Sequence, residues 1–212
     1  MTPELEDYIE KHISKEPGYL KKIDRATNLR HINGRMCSGH IQGRLLKMLF
    51  SMINPEIVLE LGTFTGYSAL CLAEALEEEG RVDTVEADDE LQEEILNNFA
   101  ASPFGDKIFL HIGDALEVMN QWNEEVFDLA LIDADKRQYP LYFEKVLTLI
   151  KPGGYIIADN TLWDGHVTEV GKHSSQTQGI IEFNRLVSET PGIEVAMIPV
   201  RDGLTIIKKL NV

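Results

Sequence analysis

Apolar residues in this chain fall in short blocks separated by longer stretches of helical period. Ile57–Leu61 reads as a short buried strand, and Arg81–Glu86, Ile108–Ile112, Phe127–Asp133 and Tyr155–Ala158 read as further strands. Between them Ser68–Leu76, Asp89–Ala101, a short segment from Gly113-Asp114-Ala115 through Trp122, and Tyr139–Ile150 repeat their apolar residues as helices do. Asp88 or Asp89 is placed to cap the second of these helices. Five strands alternating with helices predict a doubly wound, parallel α/β sheet with right-handed crossovers. Ile193–Pro199 and Leu204–Leu210, joined by the turn Val200-Arg201-Asp202-Gly203, predict a closing hairpin. It brings the sheet to seven strands, mostly parallel with one antiparallel.

Ahead of the first strand, Met1–Leu29 reads as helical and charged, with Leu5, Tyr8, Ile9, His12 and Ile13 on one stripe. Pro17-Gly18 breaks the pattern before a second helix, Tyr19–Arg30. The pair could cap the sheet or make a subunit contact. After the turn-rich Gly34–His40, Ile41–Met52 is amphipathic, with Leu45, Leu46, Met48 and Leu49 toward a core, and Pro55 ends it. Lys151-Pro152-Gly153-Gly154 stops the helix Tyr139–Ile150, a long loop Thr161–Gln178 follows the fifth strand, and Gly179–Glu189 is the last helix. The whole, 1–212, is read as one domain, with 1–53 as helices covering the site and the sheet.

In such sheets ligands bind outside the carboxyl ends of the strands. The polar clusters fall there: Glu60 with Gly62, Glu86, Asp114, Asp133 with Asp135 and Lys136, and Asp159 with Asn160. The turn after the first strand reads Glu60-Leu61-Gly62-Thr63-Phe64-Thr65-Gly66-Tyr67-Ser68. This is not the G-x-G-x-x-G of a dinucleotide site. It leaves open an S-adenosylmethionine site, another nucleotide, or a structural turn. Glu86 lies about 20 residues beyond, where a carboxylate accepts from ribose hydroxyls. Asp133 and the Asp159-Asn160 pair end neighbouring strands, which lie about 4.8 Å apart. Three oxygen donors there suit a hard divalent cation. Taken singly, each acid can equally cap a helix or contact the nucleotide. Lys136 is either a solvated surface lysine or, beside a cation that disfavours its ammonium, a group that takes a proton from a hydroxyl.

A net charge of -15 disfavours a protein that grips nucleic acid by phosphate neutralisation alone. Lys15, Lys21, Lys22, Arg25, Arg30 and Arg35 still leave room for a local basic patch. Cys37 and Cys71 form neither a disulfide framework nor a metal-ligand spacing, and His166 and His173 read as loop polar residues rather than ligands. No run of apolar residues is long enough to span a membrane, and no leader pattern is seen, so a cytoplasmic location is expected.

The glycine turn, Asp133-Ala134-Asp135-Lys136 with Tyr139 and Tyr142, Lys151-Pro152-Gly153-Gly154, and Asp159-Asn160-Thr161-Leu162-Trp163-Asp164-Gly165 occur in that order. Together they resemble the cation-dependent O-methyltransferases, the caffeoyl-CoA and catechol O-methyltransferase family, from about Asn33 to Lys209. The resemblance implies a Rossmann-like fold and an enzyme that moves a methyl group from S-adenosylmethionine (SAM) to a hydroxyl. It implies that Met36 and Ser38 close over SAM, that Glu60, Gly62 and Ser68 hold its methionine part, and that Glu86 takes the ribose. Asp114 and Ala115 would flank the adenine. Asp133, also beside SAM, would ligate the metal with Asp159 and Asn160; Lys136 would be the base and Trp163 would lie by the acceptor. Mg2+ is the expected cation, with Ca2+ or Mn2+ as substitutes. The expected acceptor is a small aromatic of catechol or phenylpropanoid type, or a hydroxyuridine of tRNA, and a homodimer is expected. Animal catechol enzymes carry a glutamate near the last hairpin; Val195-Ala196-Met197-Ile198 has no acid there. A nucleotide-dependent oxidoreductase would leave the Asp-Asn pair idle, and a non-catalytic binding module would have no use for Lys136.

Overall fold

The computed structural model describes residues 2–211. Seven strands, β1 (Ile57–Leu61), β2 (Arg81–Glu86), β3 (Ile108–Ile112), β4 (Phe127–Ile132), β5 (Ile150–Asp159), β6 (Ile193–Ile198) and β7 (Leu204–Lys209), form one sheet in the order β3-β2-β1-β4-β5-β7-β6. β1 and β4, β2 and β3, and β4 and β5 pair in parallel, while β7 runs antiparallel to β5 and to β6. The strand order reverses between β1 and β4, the position at which such sheets take their ligands. The chain divides into two compact units: one from residues up to Glu56 with Thr63–Ile112, the other from Ile57–Gly62 with Gly113 onwards.

The first unit holds helices α1 (Pro3–His12), α2 (Gly18–Arg30), α3 (Gly39–Ile53), α4 (Tyr67–Ala73) and α5 (Gln92–Ala100). The stripe expected on α1 is only partly covered: Leu5 is 50% and Tyr8 59% exposed, while Ile9 and Ile13 are half-buried. On α3 the buried line is Gln42, Gly43, Leu46 and Phe50, whereas Met48 is 56% exposed. Residues 42, 46 and 50 recur every fourth position and so share a face; Leu45, Leu46, Met48 and Leu49 span too wide an arc to be buried together. Asn54, in left-handed backbone, ends α3 before Pro55 is reached. Asp88 caps a 3-10 turn, Asp89–Leu91, ahead of α5. Leu20, Phe50, Leu70, Leu72 and Ile95 are wholly buried in this unit, each contributing about 1.5–3 kcal/mol by leaving water.

The second unit holds α6 (Ala115–Met119), α7 (Tyr139–Leu149) and α8 (Ser175–Glu189). Two boundaries depart furthest from the limits expected in this unit. β5 starts at Ile150, so Lys151–Gly154 lies inside the strand, where the β4–β5 register slips between Phe127 and Leu129. α8 starts at Ser175 because the Ser174 hydroxyl caps it, accepting from Thr177 N, and Trp163–Thr168 forms a 3-10 segment within the expected loop. Tyr139 and Phe143 of α7 meet Phe183 of α8 edge-on, with ring centroids 5.4 and 5.8 Å apart. Among the described residues no helix is long and apolar enough to cross a membrane.

Candidate active site

A 3-10 turn, Lys136–Gln138, follows β4 and leads into α7. Asp135 caps the turn, accepting from Arg137 N at 3.1 Å, and the Arg137 side chain bonded to it holds the Asp135 carboxyl below its usual range. The turn buries Lys136 to 7% exposure, so it is not a solvated surface lysine. Its Nζ donates to Asp133 Oδ1 at 2.6 Å and to Tyr139 Oη at 2.7 Å. Tyr139 is wholly buried, and its hydroxyl faces Asp159 O at 3.0 Å and Ile132 O at 3.1 Å, to which it donates. One phenol therefore ties the lysine to the ends of both β4 and β5. Burial first, then the charges of Asp133 and Asp159, push the Tyr139 hydroxyl well above the usual phenol range. It remains a protonated donor.

Two glycines let backbones meet here. Gly62 has φ 96°, and a Cβ on it would lie 2.0 Å from Asp133 O. A Cβ on Gly179 of α8 would lie 2.2 Å from Lys136 O. Any side chain at either position would push the turn away from its strand or its helix.

Ile132 pairs with Ala158, so Asp133 and Asp159 follow at matching positions on neighbouring strands. Both act on the same phenol. Asp159 Oδ1 accepts from Asn160 N at 2.8 Å, and Asn160 has left-handed backbone, φ 58°. Two carboxylates and a carboxamide are hard oxygen donors, and this set fits a divalent cation such as Mg2+ or Ca2+. Among the described residues no three His, Cys, Asp or Glu side chains cluster for a metal, so a third protein ligand would be the Asn160 carboxamide. His166 instead pairs with Glu169 at 2.8 Å.

In the first unit the glycine turn is held from several sides. Thr63 N donates to Val85 O at 3.2 Å, and Thr63 and Thr84 hydroxyls meet at 2.6 Å. Phe64 takes φ 49°, and its N–H donates to Glu86 Oε2 at 2.7 Å, while Glu86 Oε1 accepts from Asp88 N at 2.9 Å. The acid at the end of β2 thus shapes the turn itself. From α2, Thr27 donates to the Thr65 hydroxyl at 2.9 Å. His31 pairs with Glu94 at 2.9 Å and sets its ring edge-on to Phe64, 5.3 Å between centroids. α2 buttresses the glycine turn, a role with no signature in its own sequence.

The other expected residues are placed as follows. Glu60 is wholly buried in β1. Met36, 58% exposed, ends the 3-10 turn Gly34–Met36, and half-buried Ser38 precedes α3. Ser68, half-buried, is the second residue of α4. Asp114 caps α6, accepting from Leu116 N at 2.9 Å and Glu117 N at 3.2 Å, and buried Ala115 opens that helix. Trp163 is half-buried with φ 48°. Asp133, Lys136 and Asp159 come together at Tyr139; Met36, Ser38, Ser68 and Glu86 belong to the other unit. Tyr139 stands in the sequence motif that follows Lys136 but has no role assigned to it there, and Thr27 and His31 carry no local signal.

A model described as O-methyltransferase matches residues 10–210. Caffeoyl-CoA O-methyltransferase of Petroselinum crispum is 32% identical over 208 residues, 93% of this chain and 86% of that protein. The O-methyltransferase TomG from Streptomyces achromogenes, involved in tomaymycin synthesis and solved in complex with SAM, superposes with a TM-score of 0.91 at 26% identity over all of both chains. The O-methyltransferase from Bacillus cereus, solved with SAH, gives 0.87 at 28% identity, covering 97% of this chain and 96% of that one. A lysine buried between the ends of two strands and a likeness that runs nearly the whole length lead to one conclusion: the chain belongs to the O-methyltransferase family.

Proposed function

We propose that this O-methyltransferase moves a methyl group from SAM to a hydroxyl of a small aromatic acceptor and needs a divalent cation to do so. The observation that carries the reading is buried Lys136, bonded to Asp133 and Tyr139 where β4 and β5 end at Asp133 and Asp159. The SAM and SAH complexes of the two bacterial proteins support the donor, and the name of the Petroselinum crispum relative supports a phenylpropanoid-type acceptor.

Asp133, Asp159 and Asn160 would hold the cation, Mg2+ first and Ca2+ or Mn2+ as substitutes, and it would supply a Lewis acid that eases loss of the acceptor's proton. SAM would supply an electrophilic sulfonium methyl. Lys136 takes the proton at Nζ as general base. Tyr139 fixes Nζ in place and, held protonated, does not compete for that proton. Glu86 holds the ribose while keeping the glycine turn in shape; Glu60, Gly62, Ser68, Met36 and Ser38 hold the rest of the donor, with Asp114 and Ala115 at its base. Trp163 borders the acceptor. Alignment of the two reactants supplies much of the acceleration.

A tRNA acceptor is the second reading. Lys15, Lys21, Lys22, Arg25, Arg30 and Arg35 are all exposed. At about 100° per residue on α2, Lys21, Lys22 and Arg25 share an arc while Arg30 lies about 180° from Lys21, so the cations do not form one face. The test is methyl transfer from labelled SAM with Mg2+ to catechols, phenylpropanoid-CoA esters and tRNA, with and without chelator. Label in a small aromatic, lost with chelator, supports the proposal. Transfer to tRNA alone, or unaffected by chelator, contradicts it.

A further inference from the structure

We propose that Asn184 and Asp202 are positioning residues: they clamp the segment after β5 in a left-handed backbone and so set the Asn160 carboxamide for a divalent cation. The inference rests on the cation reading given above.

Three residues other than glycine within five positions have positive φ: Asn160 at 58°, Trp163 at 48° and Asp164 at 51°. Asparagine and aspartate tolerate this region; tryptophan gains nothing local from it. Such a backbone persists only where its surroundings hold it, and those surroundings point to function. Here they are two elements that supply no proposed ligand. On the side of the β6–β7 turn, Leu162 N and Trp163 N both donate to Asp202 O, at 2.8 and 3.3 Å, and the Asp202 carboxylate accepts from Asp164 N. On the side of α8, Asn184 Nδ2 donates to Thr161 O at 2.8 Å. Thr161 is wholly buried and follows Asn160 directly. Its N–H, in the peptide it shares with Asn160, donates to Gly203 O at 3.2 Å beside Asp202, and its carbonyl, held by Asn184, fixes the next peptide. The backbone that carries the carboxamide is thus held on its C-terminal side.

Asn184 makes little sense as a stabiliser. Among the described residues its buried Oδ1 accepts no hydrogen bond. An unmet buried acceptor is unfavourable, and an apolar side chain of similar shape is close to neutral at such a place. What an apolar residue cannot supply is the donor to Thr161 O. Removing groups that orient a metal ligand typically lowers metal affinity 10–100-fold.

The test is titration of the full chain with Mn2+, read by the EPR signal of the free ion and independent of turnover. Asp159→Asn serves as the ligand control. Asn184→Leu and Asp202→Ala should bind Mn2+ about 10–100-fold more weakly than wild type. Asp202→Asn keeps an accepting oxygen and should bind nearly as wild type does. Melting temperature and near-ultraviolet circular dichroism should be close to wild type in all three. If Asn184→Leu fails to fold, the Asp202 pair decides. Wild-type affinity in Asn184→Leu and Asp202→Ala, alongside loss in Asp159→Asn, overturns the clamp and leaves the cation reading standing. Equal weakening in Asp202→Asn and Asp202→Ala overturns the hydrogen-bond argument. A wild-type chain that takes up no Mn2+ overturns the cation reading and the clamp with it.

Discussion

Replacing Tyr139 by phenylalanine removes one oxygen and leaves the ring. The packing against Phe183, 5.4 Å between centroids, is kept, so no cavity opens. What is lost is the bond from the Lys136 ammonium at 2.7 Å and the shared bond to Asp159 O and Ile132 O at 3.0 and 3.1 Å. A hydrogen bond from a charged donor contributes about 1.5–3 kcal/mol and a neutral one about 0.5–1.5. The expected loss of stability is therefore about 2–4 kcal/mol. For a chain of this length that lowers the melting temperature by roughly 5–15 °C. Nζ keeps Asp133 but loses its second anchor, and misplacing a reacting group by about 1 Å can reduce turnover as much as 10²-fold. Turnover should fall about 10–100-fold at 25 °C, where the variant is still folded, with SAM affinity unchanged. The Tyr139 hydroxyl stays protonated through the assay range, so the pH profile should drop in height without losing a limb. Calorimetric melting and steady-state methyl transfer across pH measure all of this. A Tyr139→Phe variant with wild-type melting and wild-type turnover would refute the reasoning.

Lys136→Ala should lose roughly 10²–10⁴ in turnover with SAM affinity kept, and Lys136→Arg should not rescue it because a guanidinium stays protonated; a well-active arginine variant contradicts the general-base role. Glu86→Ala should weaken SAM binding by about 1.5–3 kcal/mol in calorimetry, and an unchanged affinity would remove Glu86 from the donor site. Burial alone would raise the Glu74 carboxyl, but the hydrogen bonds and charge of Arg44 hold it below its ordinary 4.5. Because the folded-state value is the lower one, the pair's contribution is full above about pH 4.5 and is lost below it as pH falls through the depressed folded-state value. Melting temperatures of wild type and Glu74→Gln should therefore converge on acidification; a gap that stays constant from about pH 7 to pH 3 contradicts this.

β1, β2 and β3 have the expected limits: β1 is legible from a nearly unbroken apolar run, the mark of a strand buried on both faces, and the more polar β2 and the half-exposed edge strand β3 from short runs bounded by turns. β5 was not, because Lys151-Pro152-Gly153-Gly154 reads as a stop while the chain pairs through it beyond a register slip. Met48 was misplaced because helical period alone does not say which of two adjoining apolar arcs is covered. Asp133, Lys136 and Asp159 could be proposed together because the ends of adjacent strands are adjacent whatever the details. The supports of the site were hidden for the opposite reason. Thr27 reaches Thr65, and Asn184 reaches the carbonyl of Thr161, across contacts that exist only after folding. Asp114 and Glu86 show a further limit of reading by position: each also caps or holds its own backbone, which a spacing argument does not reveal.

The proposed role of Lys136, mounted on Asp133 and Tyr139, is to take the acceptor's proton in a cation-dependent methyl transfer. It is tested most directly by transfer of labelled methyl from SAM to a catechol or phenylpropanoid-CoA acceptor, for wild type and Lys136→Ala, with Mg2+ and after chelation. The expected result is transfer by wild type with Mg2+, loss of it on chelation, recovery when Mg2+ is restored, and at least about a 10²-fold deficit in Lys136→Ala that Mg2+ does not relieve. Undiminished transfer after chelation, or by Lys136→Ala, would contradict it.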